Sequence, residues 1–240
     1  MGSTTTSTQH ASHTSRDFEA ELRELRAQLL AMGARCERVL RVAIEAYWKS
    51  DAGSLEEVRA IDHEIDHDEI RIDALVLRIL ALRQPVAYDL RMLTAALKLV
   101  TDLERIGDES VNIAERAQED QGNALSVVGA DLKNMAESAQ QMLRDALDAF
   151  VEADTVRAEH VLENDDVVDA LYGKVLEDMT DYMTANPSEV RAAVRVIKVA
   201  KYIERIADHA TNIAEEVIFL IRGVDVRHMR TNPPPPTRAH

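Results

Sequence analysis

At 240 residues, 46% of them hydrophobic and 30% charged, the chain is long enough to bury the core of one large domain or two small ones. Its net charge of −15, from 43 acidic against 28 Lys and Arg residues, argues against a nucleic-acid partner and for metal cations or basic protein surfaces. The single Cys36 excludes an intramolecular disulfide and a cysteine-based zinc site, and reads as a small core residue.

The opening MGSTTTSTQHASHTS carries no apolar run, so residues 1–16 read as a disordered leader and not as a secretory signal. No stretch approaches the ~18 apolar residues of a membrane span, which gives the expectation of a cytoplasmic protein. From Phe18 to Asp51, Leu22, Leu25, Leu29, Met32, Cys36, Val39, Leu40, Ala43, Ile44 and Tyr47 recur at three- and four-residue steps, predicting a long amphipathic helix. After the break at Asp51–Ser54, the pair Ser54 and Glu57 forms a capping-box signature for a second helix, which runs to about Arg83. Pro85 lacks a donor and pushes Gln84 out of helical geometry, so a short connection leads into a third helix from about Leu90 to Gln118. Gln121-Gly122-Asn123 ends this first unit.

The plan then repeats. A fourth helix runs from about Leu125 to a break at Asp154, a fifth from Thr155 to Thr184 before Asn186-Pro187, and a sixth from Ser188 to Arg222 with Gly223 beyond. Met32, Leu40, Ile44, Asp51, Asp62 and Asp66 stand 103 positions before Met135, Leu143, Leu147, Asp154, Asp165 and Asp169, and the offset falls to 100 by Arg91 and Arg191. Few aromatic residues and few β-branched runs make a sheet a poor fit. The expected fold is all-α, six long helices forming two pseudo-twofold-related three-helix bundles. Residues 17–120 are the first repeat and 121–228 the second, followed by a disordered proline-rich tail at 229–240.

The densest echo is polar. ERIGDESVNIAE (Glu104 to Glu115) and ERIADHATNIAE (Glu204 to Glu215) share eight of twelve residues. Core packing requires apolar periodicity but not Glu, Asp, Asn and Glu at fixed places twice. Glu104 and Asp108 lie four apart on one helix face, as do Asp62 and Asp66 on the preceding helix, and the second unit repeats both pairs as Glu204/Asp208 and Asp165/Asp169. Half-buried like charges need a counter-ion, and Glu104 has no basic residue at helical spacing. If the second and third helices of each unit pack antiparallel, their carboxylate pairs converge on an all-oxygen site for a hard cation. The bland alternative is a set of surface acids paired across the bundle with Arg91, Lys98, Arg191 and Lys198. Glu64 and His67 make one Glu-x-x-His match, which a ferritin-like di-iron site needs twice. His63 and His67 are therefore accessory ligands at most, His209 reads as a solvated replacement for Glu109, and Tyr47 and Trp48 as a packing cluster. No glycine-rich phosphate loop or nucleophile motif is present.

With RQPVAYDLR (Arg83 to Arg91) leading into DLERIGDESVNIAE and followed by YIERIADHATNIAE, the doubled unit resembles the PhoU family of bacterial phosphate-specific transport accessory and regulatory proteins, over roughly Phe18 to His228. The resemblance implies metal held through E(D)xxxD pairs: Asp62, Asp66, Glu104 and Asp108 in the first cluster, Asp165, Asp169, Glu204 and Asp208 in the second. It leaves the divalent or trivalent ion open among iron, magnesium, manganese, calcium and zinc. Ala207 departs from the family's ERIGD, adding a methyl group that narrows the approach of a partner helix without removing a ligand. The resemblance also implies regulation, not catalysis. It implies contact with the sensor histidine kinase of the phosphate regulon and the phosphate ABC transporter ATPase, membrane association only through those partners, and repression of the starvation response at high phosphate; the oligomeric state is left open, a homodimer among the choices. A metal-dependent oxidase or phosphohydrolase built on the same carboxylates is the competing expectation, and a metal-free scaffold a third.

Overall fold

The computed structural model describes residues 6–117, 119 and 124–226, with side chains from residue 16 onward. Six helices follow in order: α1 (Thr6–Lys49), α2 (Leu55–Arg83), α3 (Ala87–Arg116), α4 (Ala124–Glu152), α5 (Thr155–Ala185) and α6 (Val190–Arg222). Short 3₁₀ turns at Ala52–Ser54 and Pro187–Glu189 precede α2 and α6. Among the described residues there is no strand. Two of the expected boundaries move: α3 starts at Ala87 and not near Leu90, and α1 starts well before Phe18. Helix α1 begins at Thr6, inside the span expected to be a disordered leader, because no Pro or Gly between Thr6 and Arg16 interrupts the i to i−4 ladder. The Gln121-Gly122-Asn123 stop and the proline tail lie outside the described residues.

The capping box expected at Ser54 and Glu57 does not form. Ser54 is already helical and caps nothing with its side chain; its hydroxyl donates to Asp51, 2.7 Å away, and Glu57 pairs instead with Arg38 at 2.7 Å. Asp51 accepts from the Gly53 N–H at 2.9 Å. Its counterpart Asp154 is a full N-cap, accepting from the N–H groups of Val156 and Arg157 at 2.9 and 3.1 Å, a contact typically worth about 1 kcal/mol. The repeat therefore keeps an aspartate at each break. Gln84 takes left-handed geometry ahead of Pro85 and ends α2. Gly223 does the same after α6, with its N–H bonded to Phe219 O at 2.8 Å.

Helices α1–α3 pack as one bundle and α4–α6 as another, and the two meet along α3 and α6, with α1 also touching α4. Burial follows this order. Helix α6 buries sixteen residues and α3 thirteen, against nine for α2 and five for α5, so α3 and α6 form the central wall and α2 and α5 the outer face. Leu99, Leu103, Ile106 and Ile113 on α3 and Ile203, Ile206 and Ile213 on α6 are all essentially buried. A fully buried side chain of this size contributes roughly 1.5–3 kcal/mol. Cys36 is indeed core, its thiol donating to Leu103 O at 3.3 Å, and Tyr47 packs edge-on against Trp48.

Candidate functional site

Each outer helix lies along its central neighbour, α2 on α3 and α5 on α6, and the paired acids sit where these helices face one another. In the first half Asp62, Asp66, Glu104 and Asp108 are all half-buried. They influence one another across the two helices. Burial, then Asp66 and Asp108, push the Asp62 carboxyl up to about 6. Burial, then Asp108, raise Glu104, with Arg105 opposing and Glu69 and Asp66 adding to the rise. Loss of water and repulsion between like charges both favour the protonated acid. Glu69 belongs to the same group, raised by burial and then by Asp73 and Asp66. It was not among the expected ligands, although the run 62, 66, 69, 73 traces one face of α2.

Gly107 permits the tightest contact in this cluster. A Cβ at that position would lie 2.5 Å from Asp62 Oδ1, so the carboxylate rests in the gap left by the missing side chain. Arg105 supplies charge at the rim, with Nε 3.3 Å from Glu104 and Nη1 3.2 Å from Asp108. His63 and His67 stack edge-on with ring centroids 4.5 Å apart, and His63 is exposed, with Nδ1 3.9 Å from Asp66.

The second half places Asp165 and Glu204 half-buried but leaves Asp169 and Asp208 more open. Partial loss of water around its carboxyl, then Glu204 and Asp165, push Asp208 up to about 6, against the pull of Lys201. Lys201 stands one helical turn before Glu204 and donates to both of its oxygens, at 2.6 and 2.5 Å. Its ammonium also lies 5.3 Å from the centre of the Tyr172 ring. Unlike Glu104, Glu204 therefore has a basic residue at helical spacing, three positions before it.

The seam between the halves draws other cations away from the clusters. Arg205, three before Asp208, crosses instead to Glu109 at 2.9 Å. His209 is not solvated: its Nδ1 lies 2.9 Å from Asp102, which also accepts from Asn212 at 3.0 Å. Of the cations proposed as cross-bundle partners, Lys98 bonds to Glu216 at 2.7 Å and Arg91 donates to Leu220 O at 3.1 Å.

Among the described residues, no three His, Cys, Asp or Glu side chains are gathered closely enough to hold an ion as they stand. The donor chemistry of the first cluster nevertheless suits a hard cation: only carboxylate oxygens, half-buried, with Asp62 and Glu104 raised by burial and then by neighbouring acids, and with Gly107 admitting Asp62 against α3. The second cluster fits less well, because Glu204 is already neutralised on both oxygens.

The PhoU domain family matches the chain twice, over residues 29–117 and 132–217. A protein of Pseudomonas putida named phosphate-specific transport system accessory protein PhoU homolog is 42% identical over 218 residues, covering 90% of this chain and 85% of its own length. A Pseudomonas aeruginosa protein of the same name is 41% identical, with 90% of each chain covered. The crystal structure of PhoU from Pseudomonas aeruginosa superposes with a TM-score of 0.82 at 38% identity, over 86% of this chain and all of that one. The phosphate transport system regulatory protein PhoU from Streptococcus pneumoniae superposes with a TM-score of 0.80 at 26% identity, over 87% of this chain and 99% of that one. Matched in both halves and along nearly the whole length of its relatives, the chain belongs to the PhoU family.

Proposed function

We propose that this chain is a non-enzymatic accessory protein of phosphate-specific transport that holds the phosphate-starvation response off when phosphate is plentiful. The observation that carries this reading is identity above 40%, over 90% of the chain, to two proteins named as phosphate-specific transport accessory proteins. In this role it links the phosphate ABC transporter ATPase to the sensor histidine kinase of the phosphate regulon from the cytoplasmic side, as a monomer or a homodimer. No helix among the described residues is long and apolar enough to cross a membrane, which agrees with attachment through partners. The rigid acidic helical body suits docking on other proteins. A bacterial two-hybrid or pull-down assay against both partners tests the reading, and binding to neither overturns it. Deletion of the gene is expected to switch on a starvation reporter at high phosphate.

The proposal extends to metal. Asp62, Asp66, Glu69, Glu104 and Asp108 would hold a divalent or trivalent ion, which would neutralise their mutual repulsion and fix α2 against α3. Asp165, Asp169, Glu204 and Asp208 are the corresponding set in the second half. Elemental analysis of the untagged protein beside Glu104→Ala/Asp108→Ala tests this, and equal metal content in the two sinks it. The competing oxidase or hydrolase reading gains no support: the histidines near the first cluster stack on each other, and the relatives are named accessory and regulatory proteins.

A further inference from the structure

We propose that Lys201 is a built-in counter-ion that takes the place of a metal in the second carboxylate cluster, so that the chain takes up metal in its first half only. The statement about the first half rests on the metal reading above; the statement about Lys201 does not.

Three differences between the repeats act in one direction. At the offset of 100 that relates α3 to α6, Lys201 stands where the first half has Thr101. Thr101 is neutral and turned onto its own helix, its hydroxyl donating to Leu97 O at 3.1 Å. Lys201 instead chelates Glu204, a side chain only 12% exposed, so both oxygens that a metal would need already face a cation. At the offset of 103 that relates α2 to α5, Tyr172 stands where the first half has Glu69. The exchange removes a carboxylate and puts an aromatic face beneath the ammonium, where the ring's negative face holds the charge in place. Finally, Ala207 is fully buried where Gly107 admits Asp62, so a methyl group occupies the space through which the first outer helix brings its carboxylate to the wall.

Arg105 is not an equivalent plug. It makes one contact each to Glu104 and Asp108, at 3.3 and 3.2 Å, from a side chain that is 56% exposed against 39% for Lys201, and such rim pairs exchange with water and ions at little cost. A metal entering the first cluster displaces a solvated arginine. One entering the second must eject an ammonium held at both oxygens and backed by a ring.

The test uses the full chain without an affinity tag, stripped with chelator and reloaded with Mn²⁺. Bound manganese is counted by elemental analysis and followed by calorimetric titration. Asp165→Asn/Asp169→Asn is expected to keep the wild-type manganese content, while Asp62→Asn/Asp66→Asn loses most of it. Lys201→Thr is expected to roughly double the manganese bound, and the gain disappears when Asp165→Asn/Asp169→Asn is added. Lys201→Met, which keeps the aliphatic stem over Tyr172, serves if the threonine variant folds poorly. Loss of wild-type manganese in Asp165→Asn/Asp169→Asn overturns the proposal, as does no gain in a Lys201 variant whose circular dichroism matches wild type. If wild type binds no manganese, the first-cluster reading fails. The Lys201 variants then decide this proposal alone: a gain supports it and no gain overturns it.

Discussion

The two halves share a backbone plan but distribute charge differently, and the difference begins at the seam. Arg205 reaches across to Glu109, whereas its counterpart Arg105 would face His209, which stands in Glu109's place and is bonded to Asp102. Without a carboxylate opposite, Arg105 turns back to Glu104 and Asp108. Arg205 is thereby withdrawn from the second cluster, and Lys201 serves Glu204 instead. One exchange at the central wall thus decides which cation each outer cluster receives. A duplicated motif preserves its carboxylates more faithfully than their electrostatic surroundings.

The comparison is broken most severely in the core. Leu103→Ala and Ile203→Ala empty corresponding positions on the central wall and are each expected to cost about 3 kcal/mol in urea unfolding. A difference between them larger than about 1.5 kcal/mol would show that the halves are not equivalent where they meet. Next comes a feature of the first half alone. Buried Asp68 is clamped by Arg35 at 2.7 Å and by Arg71, while position 171 in the second half is leucine. Arg35→Ala leaves Asp68 with one partner and is expected to cost about 2 kcal/mol, below the usual figure for a fully orphaned buried charge because Arg71 remains. Urea midpoints with unchanged slopes would measure it.

The pH response sharpens the comparison by showing a likeness. Asp62 and Asp208 each have a folded pKa of about 6 against an ordinary 3.8. Between those values the folded state holds more protons than the unfolded one. Stability of the metal-free protein therefore falls as pH rises from about 4 to about 6, then levels off, by about 1 kcal/mol per site after allowance for solvent screening. Asp62→Asn and Asp208→Asn should each remove part of that slope in denaturation series run at stepped pH. A slope of opposite sign would contradict the crowding of both clusters. The smallest effect belongs to the exposed pair Arg38–Glu57, for which Arg38→Ala should change stability by less than about 0.5 kcal/mol in the same assay.

Most of the framework was legible in the chain because it depends on local rules. Apolar steps of three and four gave six helices, Pro85 and Asn186-Pro187 marked their breaks, and the offsets of 103 and 100 paired the halves. The paired acids were legible for the same reason, since i and i+4 share a face wherever a helix forms. What escaped was non-local or competitive. Arg205 chose Glu109 over Asp108's counterpart because the seam brings two central helices together, which no spacing within one helix reveals. Ser54 lost its cap role because Asp51 captured its hydroxyl. Glu69 and Lys201 stand at helical spacing from Asp66 and Glu204, but the other half has Tyr172 and Thr101 in their places, so the doubled motif does not point to them.

The shared wall of α3 and α6 has a consequence for how such a chain exists at all. A polypeptide ending after α3 would carry one bare apolar wall, and the surface best shaped to cover it is a second copy standing where α4–α6 stand. Its assembly would then depend on concentration. Joining the copies in one chain makes the encounter intramolecular, with an effective concentration that does not fall as the protein is diluted. It also frees the two copies to diverge, so that one wall need no longer match itself and can hold Glu109 on one side and His209 on the other.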